Sequence, residues 1–134
     1  MPIGVVIPSE TVAKFQHFQF GRTLIYLVLK IEDEKNVVED FEGEKGKSIS
    51  DLKSQLPDSE PRYILIHHGF IVDGTPRGKT FLLLYTPTGT SIRKKMIYAS
   101  AKGEVKSALN GIQIEMDVDE SFSSDDLTEK ATRI

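Results

Sequence analysis

The residue pattern predicts an α/β (α+β) fold, a mixed sheet with helices on both faces. Three observations carry this. Candidate elements read in the order α-β-β-α-β-β-α-β-α, so helices separate hairpin-like strand pairs. Thr23–Ile31 is almost wholly apolar, β-branched or aromatic, the mark of a strand covered on both sides. At 134 residues the chain is long enough to bury a core as one domain, and it does so with no cysteine to staple it.

The first helix is expected to open at Ser9, behind Pro8, with the hydroxyl taking up free backbone N–H groups. Val12, Phe15 and Phe18 give it an apolar face, and Gly21 stops it. After the strand at Thr23–Ile31, the polar turn Asp33-Glu34-Lys35-Asn36 leads into a second strand over Asn36–Phe41. Glu42–Lys47 is charged and holds two glycines, which reads as a solvated loop. Ser48-Ile49-Ser50-Asp51 starts a helix with a carboxylate at the positive end of its dipole, and that helix ends before Pro57. Arg62–Val72 and Lys79–Tyr85 form a hairpin around Asp73-Gly74. Past Pro87-Thr88-Gly89, a long helix spans Ser91–Leu109 with a bend expected near Gly103. Ile92, Met96 and Ala99 recur in it at i, i+4 and i+7, a spacing that predicts a buried stripe. A short strand at Ile112–Met116 follows, and Ser123-Ser124-Asp125-Asp126 opens a last helix through Leu127 and Ala131.

The formal net charge is −3, yet the charges are segregated along the chain. Glu32, Asp33, Glu34, Glu39, Asp40, Glu42 and Glu44 form one acidic block, and residues 115–129 hold another. Between them lie Arg77, Lys79, Arg93, Lys94, Lys95, Lys102 and Lys106, interrupted by Glu104 alone. Arg93-Lys94-Lys95 occupies a first helical turn, where the macrodipole disfavours cations. Placement against the dipole favours a negatively charged partner, whether a protein surface, an anionic lipid head group or a nucleic acid. Nucleic acid fits least, because the overall charge is negative and only Tyr98 offers a stacking ring.

Catalytic constellations are not legible. Gly74-Thr75-Pro76-Arg77-Gly78-Lys79-Thr80 has three residues between its glycines where a phosphate loop needs four, and it joins strands instead of opening a helix. His67 and His68 are neighbours on a strand, so they face opposite ways and cannot share a metal. Asp125 and Asp126 read as helix caps, and no nucleophile elbow is present. An enzyme is therefore not expected, nor any metal or cofactor. The longest apolar run, Leu24–Leu29, is far short of a membrane span, and residues 1–8 do not read as a secretory signal. A soluble, intracellular single domain over residues 1–134 is expected, as a monomer.

At the long helix, Arg93-Lys94-Lys95-Met96-Ile97-Tyr98-Ala99-Ser100-Ala101-Lys102 resembles the basic-x-Lys-Met-x-Tyr-Ala-Ser-Ser-Lys signature of the ADF/cofilin family. Ala108-Leu109-Asn110-Gly111-Ile112-Gln113 continues the match. Gly4-Val5, Phe15–Gly21, Leu56-Pro57, Arg62-Tyr63, Val72-Asp73-Gly74 and Pro87 extend it over essentially the whole chain. The resemblance implies a single actin-depolymerising-factor-homology domain, with a five- to six-stranded mixed sheet between two pairs of helices. It further implies a cytoplasmic, cytoskeletal protein without catalytic activity, which binds actin monomers and filaments and severs or depolymerises the filaments. By similarity Gly4, Val5, Arg93, Lys94, Lys95 and Met96 would meet both monomer and filament. Arg77, Lys79, Glu129, Lys130 and Arg133 would form a filament-only surface, and anionic phosphoinositides would compete for the basic face. The acidic blocks would then lie away from that face. The family's regulatory serine is replaced by Ile3, so control by phosphorylation there is not expected. Leu56–Arg62 also resembles the glia maturation factor branch, whose members bind the actin-related branching complex, and coactosin-like filament binding without severing is a third reading.

Overall fold

The apolar run after the first helix becomes β1 (Leu24–Glu32), which turns at Asp33 and Glu34 into β2 (Asn36–Glu44). Both turn residues take left-handed backbone angles, φ 54° and 56°, the conformation that lets so short a link reverse the chain. The structure, a computed structural model, describes residues 4–21 and 23–133. Its remaining elements are α1 (Ser9–Gly21), α2 (Ile49–Gln55), β3 (Arg62–Val72), β4 (Thr75–Tyr85), α3 (Ile92–Ala108), β5 (Ile114–Val118) and α4 (Ser124–Thr132). The sheet has five strands in the order β2-β1-β3-β4-β5. Its neighbours are antiparallel except β4 and β5, which run parallel because α3 carries the chain back between them. The expected mixed sheet is present with the lower of the two strand numbers.

Alternation along the strands builds two cores. Leu27, Leu29, Tyr63, Leu65, Leu82 and Leu84 point to one face and are covered by Phe15 and Phe18 of α1 and by Ile97, Tyr98 and Val105 of α3. Tyr26, Val28, Ile64, Ile66, Phe81 and Leu83 point to the other, under Leu52 of α2 and Leu127 and Ala131 of α4. Each fully buried Leu or Ile contributes about 1.5–3 kcal/mol of transfer free energy, which is why the central strands read as continuous apolar runs. The two short helices are both fixed by capping boxes. Ser48 and Asp51 exchange side-chain and backbone hydrogen bonds at α2, and Ser123 and Asp126 do the same at α4.

Four element boundaries differ from the sequence reading. Ser9 is the first residue of α1, not a cap, and the carbonyl of Pro8 accepts from Thr11 and Val12. Glu42–Glu44 is strand, not loop, because Gly43 pairs with Tyr26 and lies beneath its ring, where any Cβ would overlap the ring. β4 starts at Thr75, four residues early. Asp73 and Gly74, at φ 50° and 78°, make a two-residue turn from which pairing resumes at once. Pro76 is tolerated there because β5 pairs with β4 only from Phe81 onward. β5 is displaced to Ile114–Val118, since Gln113 is occupied with both backbone groups of Thr80. Ile3 lies outside the described residues.

Candidate functional site

α3 begins against its own dipole. Its first turn contains no acidic residue, and Ser91 caps it by accepting from the Lys94 N–H at 3.3 Å. The inward side of the helix is Ile97, Tyr98, Ala101 and Val105. Tyr98 anchors this side twice: its hydroxyl accepts from the backbone N–H of Ile31 at 2.8 Å, and its carbonyl accepts from the Tyr63 hydroxyl at 2.6 Å. Burial raises both tyrosine pKa values, so both hydroxyls stay neutral.

That anchoring reverses the expected stripe. Ile92, Met96 and Ala99 are exposed, not buried, and share the outward face of α3 with Lys95 at i, i+3, i+4 and i+7. Ile92 is 75% exposed and Met96 62%. Arg93, Lys94 and Lys95 are exposed as well, so the four predicted residues of this helix lie together at the surface.

Two links bring the N-terminal segment to the same end of the sheet. Val6 donates to the carbonyl of Lys35 at 2.7 Å and accepts from Val37 at 2.9 Å, which seats Val5 against the core and leaves Gly4 exposed beside the β1–β2 turn. Arg93 reaches the same turn. Its guanidinium donates two bonds to the Glu34 carboxylate, at 2.7 and 2.6 Å. The pairing holds the Glu34 carboxyl below the usual carboxylate range and raises the Arg93 pKa. The acidic blocks therefore do not lie apart from the basic helix. Glu34 pairs with Arg93, Glu60 with Lys94 at 3.3 Å, Asp117 with Lys102 at 3.2 Å and Glu115 with Lys106 at 2.9 Å. Charge that is segregated in sequence is interleaved in space. The net result is a half-apolar, half-cationic face built from Val6, Ile92 and Met96 with Arg93 and Lys95.

Residues 4–133 match the family model described as cofilin/tropomyosin-type actin-binding protein. The chain belongs to the cofilin/ADF family. It is similar to actophorin of Acanthamoeba castellanii, 32% identical over 133 residues that cover 97% of this chain and 96% of the other. It is also similar to actin-depolymerizing factor 3 of Arabidopsis thaliana, 35% identical over 115 residues, or 84% and 83% of the two chains. Its fold matches the cofilin of Streptomyces griseoflavus at a TM-score of 0.86, with 22% identity over 97% of this chain and 98% of that one.

In this cofilin/ADF chain the remaining predicted residues gather at the other end of the sheet. Arg77 and Lys79 stand on β4, opposite Phe70 and His68 of β3, where the hairpin projects past its neighbours. α4 is tied to that region by His68, whose Nε2 lies 2.7 Å from the Thr128 hydroxyl. Glu129 and Lys130 follow on the same helix and Arg133 caps its C-terminus, with Glu129 and Arg133 ion-paired at 2.8 Å. His67 and His68 diverge as expected: His67 stacks on Phe18 of α1, and His68 turns to α4. Their polar partners are Thr80 of β4 and the Phe18 carbonyl of α1 for His67, and Thr128 of α4 for His68. Residue patterns missed Glu34 and Ala99 as surface participants. The signal in the sequence was a second apolar stripe at Ile97, Tyr98, Ala101 and Val105, which follows the helical period equally well.

Proposed function

We propose that the protein binds monomeric and filamentous actin and promotes filament severing and depolymerisation. The observation that carries this is the convergence of Gly4–Val6, the β1–β2 turn and the exposed half of α3 into one face. Ile92 and Met96 supply apolar contact area, and Arg93, Lys94 and Lys95 supply register and steering toward an acidic protein surface. Family membership supports actin as the partner. Met96 is an adaptable side chain that re-packs to a groove, and its exposure costs the free molecule apolar surface that docking would recover.

The second face, Arg77 and Lys79 on the hairpin with Glu129, Lys130 and Arg133 on α4, is assigned to contacts made only in the filament. Anionic phosphoinositides would compete at the cationic helix, because their head groups seek the same positive potential. A monomeric protein with two faces at opposite ends of one sheet fits a molecule that bridges neighbouring subunits.

The test is sedimentation of filamentous actin over a range of protein concentrations, with pelleted and soluble actin both measured. Depolymerisation and severing appear as actin moving to the supernatant, whereas simple filament binding leaves it in the pellet. Arg93→Ala with Lys95→Ala is expected to weaken monomer and filament binding by about tenfold or more, the loss of roughly 1.4 kcal/mol or greater typical of residues central to a docking face. Unchanged binding by that variant would remove α3 from the interface.

A further inference from the structure

β1 accompanies β3 only between Tyr26↔Ile66 and Leu29↔Tyr63. Beyond Ile66 that side of β3 has no strand beside it among the described residues. Because Val72 and Thr75 close a two-residue turn, Phe70 and His68 bond to β4, whereas His67, Gly69 and Ile71 aim their backbone N–H and C=O groups the other way. Native sheets normally blunt or cover such a row of open groups. Here it is flanked by two large apolar side chains left in solvent, Phe20 at 78% and Ile71 at 70%. Between them Gly69 faces Gly78 across the ladder, so the floor carries no side chain. A Cβ added at either glycine would meet nothing nearer than a carbonyl oxygen at 3.8 Å. A cleft of about 580 Å³ opens over this edge, and Lys45 and Lys79 stand on its walls. Lys14, Lys30, Lys94, Lys102 and Lys106 are ion-paired, but Lys45 and Lys79 have no carboxylate partner among the described residues.

We propose that this edge is a further docking surface, which takes an extended acidic segment of a partner protein as an added strand. The open backbone groups of Gly69 and Ile71 supply main-chain hydrogen bonds, and alternate side chains of the guest set the register. Apolar guest residues pack over the bare glycine floor against Phe20 and Ile71, while a carboxylate meets Lys45 or Lys79. A second copy of this chain is the poorer guest. Its own edge segment, residues 67–71, carries no carboxylate to offer Lys45 or Lys79. The surface is distinct from the exposed half of α3, which lies at the opposite end of the sheet, and shares Lys79 with the face assigned to the filament.

The probe is a displayed library of random dodecapeptides, selected on the full chain and counter-selected on Phe20→Ala/Lys45→Glu/Lys79→Glu. All three substituted side chains are outside the two cores, and an unchanged thermal midpoint verifies that the variant folds. The expected yield is extended sequences that combine Asp or Glu with β-branched residues. They should lose at least about tenfold in affinity on the variant, the scale of a lost central contact, and slow amide exchange at Gly69 and Ile71. Arg93→Ala/Lys95→Ala should bind the same peptides normally, whether or not it still binds actin. The proposal is overturned by a selection that enriches nothing over the variant, by protection that maps elsewhere, or by self-association of the free chain through residues 67–71.

Discussion

At the scale of single residues, the contact between Arg93 and Glu34 decides how the cationic helix is presented. A guanidinium that already holds a carboxylate in the free protein must share or surrender it on docking. Both side chains are largely in water, so the pair adds little to folding, and its effect falls on the local potential instead. Glu34→Gln is therefore expected to leave the thermal midpoint unchanged and to raise the association rate with actin about two- to threefold at low salt. The gain should vanish as the Debye length shrinks below about 5 Å. Stopped-flow binding at two ionic strengths checks this, and an unchanged rate at low salt would mean that Glu34 does not shape the docking potential.

His68 gives a second prediction at this scale. Burial between β3, β4 and α4 pushes its pKa below the usual 6.5, because the charged ring would lose hydration. Its surroundings offer Thr128 from α4, Phe81 and the cation Lys79 from β4, and Phe70 on its own strand, with no carboxylate to stabilise an imidazolium. The unfolded chain thus binds the proton more readily than the folded one. Stability should be fully present above pH 6.5 and should fall as the pH drops below it toward the depressed folded value. Melting curves at pH 7 and pH 5 should show a smaller acid loss for His68→Gln than for the natural chain, since the carboxylates contribute equally to both.

At the scale of elements, α3 shows why its strands were easier to read than its helix face. Most of β1 and the Thr80–Tyr85 half of β4 are buried on both sides, so composition alone marks them, whichever way each side chain points. α3 carries two apolar stripes, and the one at Ile92, Met96 and Ala99 follows the helical period as well as any core stripe. Nothing local tells a pattern selected for a partner from one selected for the interior. Only the bonds of Tyr98 to Ile31 and Tyr63, made across 67 and 35 residues, fix the orientation, and a sequence does not display them. The same non-locality folds Glu34 onto Arg93 and hides the strand character of Glu42–Glu44, which depends on the Tyr26 ring above Gly43. Leu65→Ala, at a fully buried position, is expected to lower unfolding free energy by about 2–5 kcal/mol. Met96→Ala should stay within about 0.5 kcal/mol of the natural chain, as exposed positions do, yet weaken actin binding. Denaturant titration paired with monomer binding separates the two, and comparable losses of stability would place Met96 in the core after all.

At the scale of the whole molecule, one sheet keeps two faces apart. The N-terminal segment and the start of α3 crowd around the β1–β2 turn, whereas Arg77 and Lys79 lie at the far end with α4. The faces should therefore fail independently. Arg77→Ala with Lys79→Ala is expected to reduce filament co-sedimentation while monomer affinity stays within about twofold, because distant sites without shared partners act additively. A matching loss of monomer binding would show that the two ends are coupled.

The projecting part of the β3–β4 hairpin has a mechanical corollary. Where β1 and β5 stop short, the ribbon is only two strands wide, and such ribbons twist further and resist bending less than a full sheet. The far face is thus carried on a sprung arm, while the near face is bolted to a stiff block through the Tyr98 hydroxyl and the Val6 bridge. On the proposed reading, in which the two faces grip neighbouring subunits, such a mounting lets the molecule follow a varying separation between them.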